Sequence, residues 1–207
     1  MYWYSGSAVP AAPAACRATG WFSKVLLAAQ VGLCLTVTCA PARAALSIGG
    51  HFALHTLAGE AVTEQNFKGK WQLLYFGFTF CPDACPAVLN QIGAALQELG
   101  KAAQIQPIFI TVDPQRDSAE RLQDFLAHFD SRIVGLRGTQ VQTEAAARAY
   151  RVYFKVRPVK PGSETYTIDH SSFLFLMKSD GSFAQLLQTD APSHRLADEL
   201  RGQLQLK

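Results

Sequence analysis

The chain contains 207 residues, of which 49% are hydrophobic, and carries a formal net charge of +3. This length suits one domain preceded by a leader. Three of the 19 basic residues (Arg17, Lys24 and Arg43) and no acidic residue lie within the first 44 positions, so the remainder carries 16 basic and 16 acidic residues. Because that part is neutral and has no basic patch with interleaved aromatic residues, a nucleic-acid partner is excluded.

The first 44 residues have the pattern of a targeting segment. Residues 25–40 (VLLAAQVGLCLTVTCA) form an apolar run, and Ala42, Arg43 and Ala44 follow as an A-x-A cleavage site. This order is typical of a secretory signal peptide, whereas a helix that spans a membrane needs about 20 apolar residues. We therefore expect residues 1–44 to be a signal peptide cleaved after Ala44 or, alternatively, an N-terminal membrane anchor. Residues 45–207 then form the exported domain.

The exported part begins with a glycine-rich stretch and then shows a strand and a helix. Residues 45–70 are predicted to be irregular or hairpin-like. Residues 71–78 (WQLLYFGF) are continuously apolar and predict a buried strand. Apolar positions recur with helical spacing over residues 85–99, and Pro86 is compatible with a helix if it lies in the first turn.

The middle of the chain repeats this alternation of strand and helix. Residues 105–112 predict a second strand, which ends at the turn sequence DPQRD. Asp117, with Glu120 three positions later, predicts a capped helix that continues to Phe129, and residues 132–136 predict a short strand.

The last third predicts one more helix and a C-terminal hairpin. Thr139 and Gln142 form a second capping pair, which predicts a helix through Tyr150. The elements expected after it are a Pro/Gly-containing loop (152–164), a strand (164–168), a hairpin (171–177 and 182–188) and a final helix lined by Leu196, Leu200 and Leu204.

This order of elements predicts an α/β fold. Alternating strands and helices indicate a central mixed sheet with flanking helices. The terminal hairpin followed by a helix is the thioredoxin-like arrangement. In such open sheets the functional site lies at the carboxyl ends of the strands, where the stretch FTFCPDACP follows the first buried strand.

Two cysteines in that stretch are the candidate reactive groups. Three of the five cysteines fall in the leader, so the exported part contains Cys81 and Cys85 alone. Residues four apart on a helix share one face, and a helix N-terminus favours thiolates. The pair can cycle between dithiol and disulfide, or it can bind a soft metal ion such as Cu(I) or zinc. Thioredoxin-type redox motifs usually have two residues between the cysteines rather than three, which favours metal binding.

Two sulfur ligands leave a metal coordination shell incomplete, so a histidine is sought as the third. His170 stands out because it lies at the joint between a polar strand and a strongly apolar one. From the residues alone it remains either a ligand or a structural histidine. The other four histidines are weaker candidates: His51, His55, His128 and His194.

Three aspartates lie next to these positions in the sequence. We interpret Asp83 as a residue that favours the helix start, rather than one that tunes the thiols. We interpret Asp113 as a turn-former before Pro114, rather than a group beside the site. Asp169 is expected to face away from His170, since neighbours on a strand point to opposite sides.

Four segments in the same order resemble the SCO/SenC family of copper chaperones. They are FGFTFCPDACP, TVDPQRDSAERLQDF, LRGTQVQTEAAARAYRVYFK and TIDHSSFLFLMKSDGSF, and the similarity covers about residues 47–205. The resemblance implies a thioredoxin-like domain in which Cys81, Cys85 and His170 bind copper. It also implies a place in the periplasm or the mitochondrial intermembrane space.

The resemblance implies a function in loading the binuclear copper A centre of cytochrome c oxidase subunit II, or of another copper-accepting protein. We expect a periplasmic protein, soluble or tethered to the inner membrane through residues 25–40, that binds Cu(I) and also Cu(II). The alternative is a periplasmic thiol-disulfide oxidoreductase that acts through Cys81 and Cys85. In either case a periplasmic thiol reductant is needed to reset the pair. A peroxidase of the peroxiredoxin kind is disfavoured, since no residue besides the thiols points to it.

The sequence departs from the family pattern next to the first cysteine. Many relatives have histidine there, and this chain has Phe80. Phe80 is not one of the three expected ligands, so we expect copper binding to survive. An apolar neighbour is expected to change solvent access or redox potential at the site.

Overall fold

The computed structural model describes residues 48–100, 103–160, 163, 165–190 and 192–205. The predicted leader (1–44) and its apolar run (25–40) lie outside these residues, so the signal peptide and the anchor remain predictions. Within the described ranges, none of the helices combines the length and the apolar character that crossing a membrane requires.

The described residues contain nine strands, four α-helices and a short 3₁₀ helix (Glu64–Phe67). The strands are β1 (Ala53–Thr56), β2 (Ala61–Thr63), β3 (Trp71–Gly77), β4 (Ile105–Thr111), β5 (Val134–Arg137), β6 (Phe154–Pro158), β7 (Tyr166–His170), β8 (Phe173–Met177) and β9 (Phe183–Gln188). The helices are α1 (Ala84–Leu99), α2 (Ala119–Leu126), α3 (Gln140–Ala149) and α4 (Ser193–Leu204).

Seven of the described strands form one mixed sheet in the order β2-β1-β5-β4-β3-β8-β9. β3 pairs in parallel with β4 and antiparallel with β8, so it lies inside the sheet. The chain ends in the β8–β9 hairpin followed by α4, which packs against α1. The α/β class and the thioredoxin-like arrangement predicted from the sequence are confirmed.

β3 is the centre of the hydrophobic core because water reaches neither of its faces. Its residues Leu73, Leu74, Tyr75 and Phe76 are completely buried. A strand that is buried on both faces reads as a continuous apolar run rather than an alternating one, and this is the pattern of WQLLYFG. The segment that carries the cysteines therefore begins from a fixed point in the core.

The capping predictions had different outcomes for the two middle helices. Thr139 and Gln142 form the predicted capping box at the start of α3. The prediction for α2 was wrong: Ser118, not Asp117, is the N-cap and accepts a hydrogen bond from the Arg121 amide. The Asp117 carboxylate is buried instead, where it accepts hydrogen bonds from other elements, and α2 ends at Leu126 rather than at residue 129.

The loop predicted over residues 152–164 was also wrong in part. Residues 154–158 form β6, which pairs with β7 in a separate two-stranded sheet. Pro158 suggested a loop, but it lies at the end of an edge strand, where no amide hydrogen is needed. By contrast, residues 45–70 contain an antiparallel β1–β2 hairpin, one of the two structures expected there.

Candidate metal centre

The two cysteines occupy different elements at the carboxyl end of β3. Cys81 lies in the segment that follows β3, and Cys85 lies in the first turn of α1. The prediction that both share one helical face was wrong for Cys81, since a residue before proline is disfavoured in the helical region and Pro82 follows it. The pair nevertheless meets, because the Cys85 amide donates a hydrogen bond to Cys81 Sγ over 3.3 Å.

Cys85 is the inner of the two thiols. It is completely buried, whereas Cys81 is 9% exposed at the edge of the core. The Tyr75 hydroxyl, from the middle of β3, donates to Cys85 Sγ over 3.5 Å. Tyr75 was not identified from the sequence, where it read as one more apolar residue of the strand.

Gly77 leaves the space into which the Cys85 sulfur fits. A Cβ at this position would lie 3.0 Å from Cys85 Sγ and 2.9 Å from Cε2 of the buried Phe109 ring. We predict that Gly77→Ala displaces the sulfur and destabilises the reduced chain by about 1–3 kcal/mol, the usual cost of overpacking a core. Urea unfolding measures the change.

A matched control is available for this substitution. In Gly50→Ala the new methyl group would meet only the Ala149 Cβ at 3.6 Å, an ordinary contact. Its stability is expected to stay within about 0.5 kcal/mol of the parent. Equal stability losses in the two variants would show that the packing of the Cys85 sulfur does not require a glycine at position 77.

His170 reaches the thiols from the end of β7. Its Nε2 lies 3.7 Å from Cys85 Sγ, although the two residues are 85 positions apart in the chain. Its Nδ1 lies 3.1 Å from the Ser171 carbonyl oxygen, which can only accept, so Nδ1 carries the proton. The ring packs edge-on against the Phe78 and Tyr75 rings, with centroids 5.7 and 6.2 Å away. The unprotonated nitrogen is therefore directed at the sulfur.

The separation of these donors fits a shared metal ion. Metal–sulfur and metal–nitrogen bonds of about 2.3 and 2.1 Å, as found for zinc, place two donors about 3.8 Å apart in a trigonal arrangement. The observed distance from Cys85 Sγ to His170 Nε2 is 3.7 Å. Among the described residues, no group of three or more histidine, cysteine and acidic side chains is arranged so that it could hold a metal ion without rearrangement. A metal ion held here would have to displace the protons of the thiols, since the thiolate is the metal ligand.

The two thiols differ in acidity. The hydrogen bond from the Cys85 thiol lowers the pKa of Cys81. The same hydrogen bond, together with burial, raises the pKa of Cys85. Of the two thiols, Cys81 is therefore the more acidic.

The three aspartates lie around this centre in different ways. Asp83 occupies the N-cap of α1 but makes no side-chain capping hydrogen bond. Asp113 forms the predicted turn, since its carbonyl oxygen accepts from the Arg116 and Asp117 amides. Its carboxylate is also buried and bonds to Arg116 and Tyr166. Asp169 forms an ion pair with Arg157 across the β6–β7 pair and faces solvent, as the alternation of the strand predicts.

The other described histidines have partners or positions outside the centre. His51 lies 3.1 Å from a Glu64 carboxylate oxygen, and His128 Nδ1 contacts the Phe125 carbonyl oxygen. His128 and His194 are exposed on or beside helices. The structure therefore brings Cys81, Cys85 and His170 together and leaves the remaining histidines elsewhere.

Comparison with known proteins identifies the family to which this chain belongs. The family model described as SCO1/SenC matches residues 40–205. The chain belongs to the SCO1/SenC family. It is 44% identical over 144 residues to the mitochondrial protein SCO1 of Saccharomyces cerevisiae, an alignment that covers 68% of this chain and 48% of that protein. The chain thus aligns with about half the length of such curated SCO relatives.

Solved structures of SCO proteins have the same fold. The structure of Arabidopsis thaliana ScoI with copper bound has a TM-score of 0.72 at 33% identity, and the match covers 78% of this chain and all of that one. Bradyrhizobium japonicum ScoI with copper bound has a TM-score of 0.69 at 38% identity, over 75% of this chain and 99% of that one. The part of this chain that matches therefore corresponds to nearly the whole of each of these two solved chains.

Proposed function

We propose that this SCO1/SenC protein is a copper chaperone. In this proposal Cys81, Cys85 and His170 hold Cu(I), and the protein delivers it to the binuclear copper A centre of cytochrome c oxidase subunit II. Two thiolates and an imidazole suit Cu(I), because soft ligands select it over harder cations. Cu(II) is also expected to bind, with an added oxygen ligand.

The observation that carries the proposal is the approach of His170 Nε2 to the buried Cys85 sulfur. A histidine whose other nitrogen donates to a backbone carbonyl is in the arrangement that metal-binding histidines adopt. The relatives from Arabidopsis thaliana and Bradyrhizobium japonicum, whose structures contain copper, support the same reading.

The residues around the centre suggest how the cargo is held and released. Copper binding would remove the proton of the Cys85 thiol, since a coordinating thiol is deprotonated. Cys85 is the more deeply buried sulfur, and the Tyr75 hydroxyl donates to it. Because Cys81 is the more exposed sulfur, it is the ligand that a partner thiolate would replace first.

The place of action is part of the proposal. The signal-like leader supports an exported protein, periplasmic and either soluble or held at the inner membrane through residues 25–40. The curated yeast relative is named as mitochondrial. A periplasm keeps thiols oxidised, so a thiol reductant is needed to return Cys81 and Cys85 to the copper-binding state.

A second function, thiol-disulfide exchange, is favoured by the unequal acidities of the thiols. Cys81 has a lowered pKa and some exposure, which suit an attacking thiolate, whereas Cys85 is a buried thiol beside it. Cys81 would attack a partner disulfide and release one partner thiolate. Cys85 would then break the mixed disulfide, so that the partner gains two electrons and two protons and this protein keeps the disulfide.

One experiment separates these functions. The reduced protein, loaded with one equivalent of Cu(I) without oxygen, is mixed with the copper-binding domain of subunit II in its dithiol form. A chaperone transfers the copper and keeps its own cysteines as thiols. After the two proteins are separated, metal analysis measures the copper on each and thiol titration measures the remaining thiols. The control is an acceptor domain with its two copper-binding cysteines replaced by serine, which should remain free of copper.

The metal-free protein is then mixed with the disulfide form of the same acceptor. Reduction of the acceptor, matched by a disulfide in this protein, would support the oxidoreductase. If copper stays with the loaded protein at a large excess of dithiol acceptor, the delivery function is wrong.

A further inference from the structure

The turn after β4, residues 113–117, connects the two halves of the candidate metal centre. At one end the Asp117 carboxylate accepts hydrogen bonds from the Thr79 amide at 3.2 Å and from its hydroxyl at 2.6 Å. It also accepts from the Thr111 hydroxyl at the end of β4. Thr79 lies two residues before Cys81, so this end of the turn holds the cysteine segment.

The other end of the turn holds the strand that carries His170. The Tyr166 hydroxyl donates to Asp113 Oδ1, and Arg116 Nη1 donates to the Tyr166 carbonyl oxygen, both over 2.8 Å. Tyr166 is the first residue of β7 and His170 is the last. In the described residues β7 pairs with β6 alone, so no strand of the large sheet fixes its position through ladder hydrogen bonds.

Arg116 is the residue of this turn that contacts both halves. Its guanidinium carbon lies 3.6 Å from the centroid of the Tyr166 ring and 4.5 Å from that of Phe80, the residue before Cys81. It lies 6.0 Å from the Phe78 ring, which packs against the His170 imidazole. An ion pair from Nε to Asp113 Oδ2, 2.5 Å long, fixes its orientation.

One guanidinium nitrogen of Arg116 makes no hydrogen bond to the described residues, so hydrogen bonds alone do not explain the position of this side chain. Arg116 Nη2 is buried and has no hydrogen-bond partner among the described residues. A buried donor without a partner is unfavourable. The plane of the guanidinium is therefore held by its contacts with the aromatic rings and by its two bonded nitrogens.

We propose that Arg116 is a positioning residue for the third copper ligand, because its guanidinium joins the Tyr166 end of β7 to the Phe80 side of the cysteine segment. This inference rests on the proposed function, since the position of His170 affects copper only if His170 binds it. Arg116 itself touches neither sulfur nor imidazole. It acts through Tyr166 and Phe78, and no sequence pattern besides the turn DPQRD pointed to it.

A double-mutant cycle tests the inference. Cu(I) affinity is measured by competition with a chelator for the parent, Arg116→Met, His170→Ala and the double variant. We expect Arg116→Met to weaken binding by about 10- to 100-fold, as removal of residues that orient metal ligands does. In the His170→Ala background the same change should have no further effect, because the two residues act as one unit. Equal losses in both backgrounds, or no loss in either, would overturn the inference.

A measurement without copper keeps this test separate from the proposed function. In the metal-free parent, nuclear Overhauser effects should connect the His170 ring with the Phe78 and Tyr75 rings. In Arg116→Met they should weaken or vanish, and their persistence would refute a positioning role. If the parent itself binds no Cu(I), the proposed function fails while this measurement still reports on Arg116.

The chain provides a matched control for these variants. Arg121 also lies over the Phe80 ring, with its guanidinium carbon 4.8 Å from the centroid, and it is exposed on α2. Arg121→Met should leave both readouts unchanged. Arg116→Lys keeps the charge and the fold but not the planar contacts, so it should fall between the parent and Arg116→Met. A lysine variant equal to the parent would show that charge, not the planar group, positions β7.

Discussion

His170→Ala is expected to weaken Cu(I) binding by about 100-fold or more while the protein remains folded. Loss of residues that merely orient a ligand already costs about 10- to 100-fold, and here a donor atom itself is removed. The remaining Cys81 and Cys85 sulfurs would bind the ion as a pair, without the nitrogen that now lies 3.7 Å from Cys85 Sγ. Competition with a chelator of known affinity, in the absence of oxygen, measures the change.

Two variants set the limits of this prediction. His128→Ala removes an exposed histidine that contacts the Phe125 carbonyl oxygen, and it should leave the affinity at the parent value. Cys85→Ser should lower the affinity more than His170→Ala, since it removes the buried soft ligand. If His170→Ala binds Cu(I) as tightly as His128→Ala does, the third ligand is not His170. That result would favour thiol-disulfide exchange through Cys81 and Cys85.

The second large effect is expected in the alkylation of the reduced, metal-free protein. The lowered pKa of Cys81 keeps this sulfur ionised at pH values where an ordinary thiol, with a pKa of about 8.5, is protonated. As the pH falls from 8 to 6, its rate of reaction with iodoacetamide should therefore stay nearly constant. An ordinary thiol would slow by about tenfold per pH unit over the same range.

Mass spectrometry can assign the modified sulfur and so complete the measurement. Cys85 should remain unmodified, because it is completely buried and its pKa is raised by the hydrogen bond to Cys81 and by burial. Cys85→Ala removes the hydrogen bond that contributes most to the lowered pKa of Cys81, so its rate profile should shift to higher pH. A parent profile that rises tenfold per unit through pH 7 would show that Cys81 is an ordinary thiol.

The parts of the fold that were predicted correctly depend on local patterns. The run WQLLYFG predicted β3 because a strand buried on both faces needs no polar position. Thr139 and Gln142 predicted the start of α3 because the capping box is formed within four residues. His170 was selected by its place between a polar and an apolar strand, although this alone did not distinguish a ligand from a structural residue.

The errors arose where a neighbour or a distant contact decides the conformation. Pro82 keeps Cys81 out of the helix, a local effect that the spacing of the cysteines concealed. Asp117 was taken for a helix cap because its partner Thr79, 38 positions away, could not be inferred from the sequence. The bond between Asp113 and Tyr166 could not be inferred for the same reason, since Tyr166 lies 53 positions further on.

The separation of the three donors along the chain sets the order in which the site can be completed. Cys81 and Cys85 are four positions apart, whereas His170 follows Cys85 by 85 positions. Contacts between distant segments carry a larger loop-closure entropy and form late in folding. If these three residues hold the ion, a chain still emerging from synthesis or export offers two sulfurs and no nitrogen. Tight metal retention would then be a property of the finished fold, and unfolding would release the cargo.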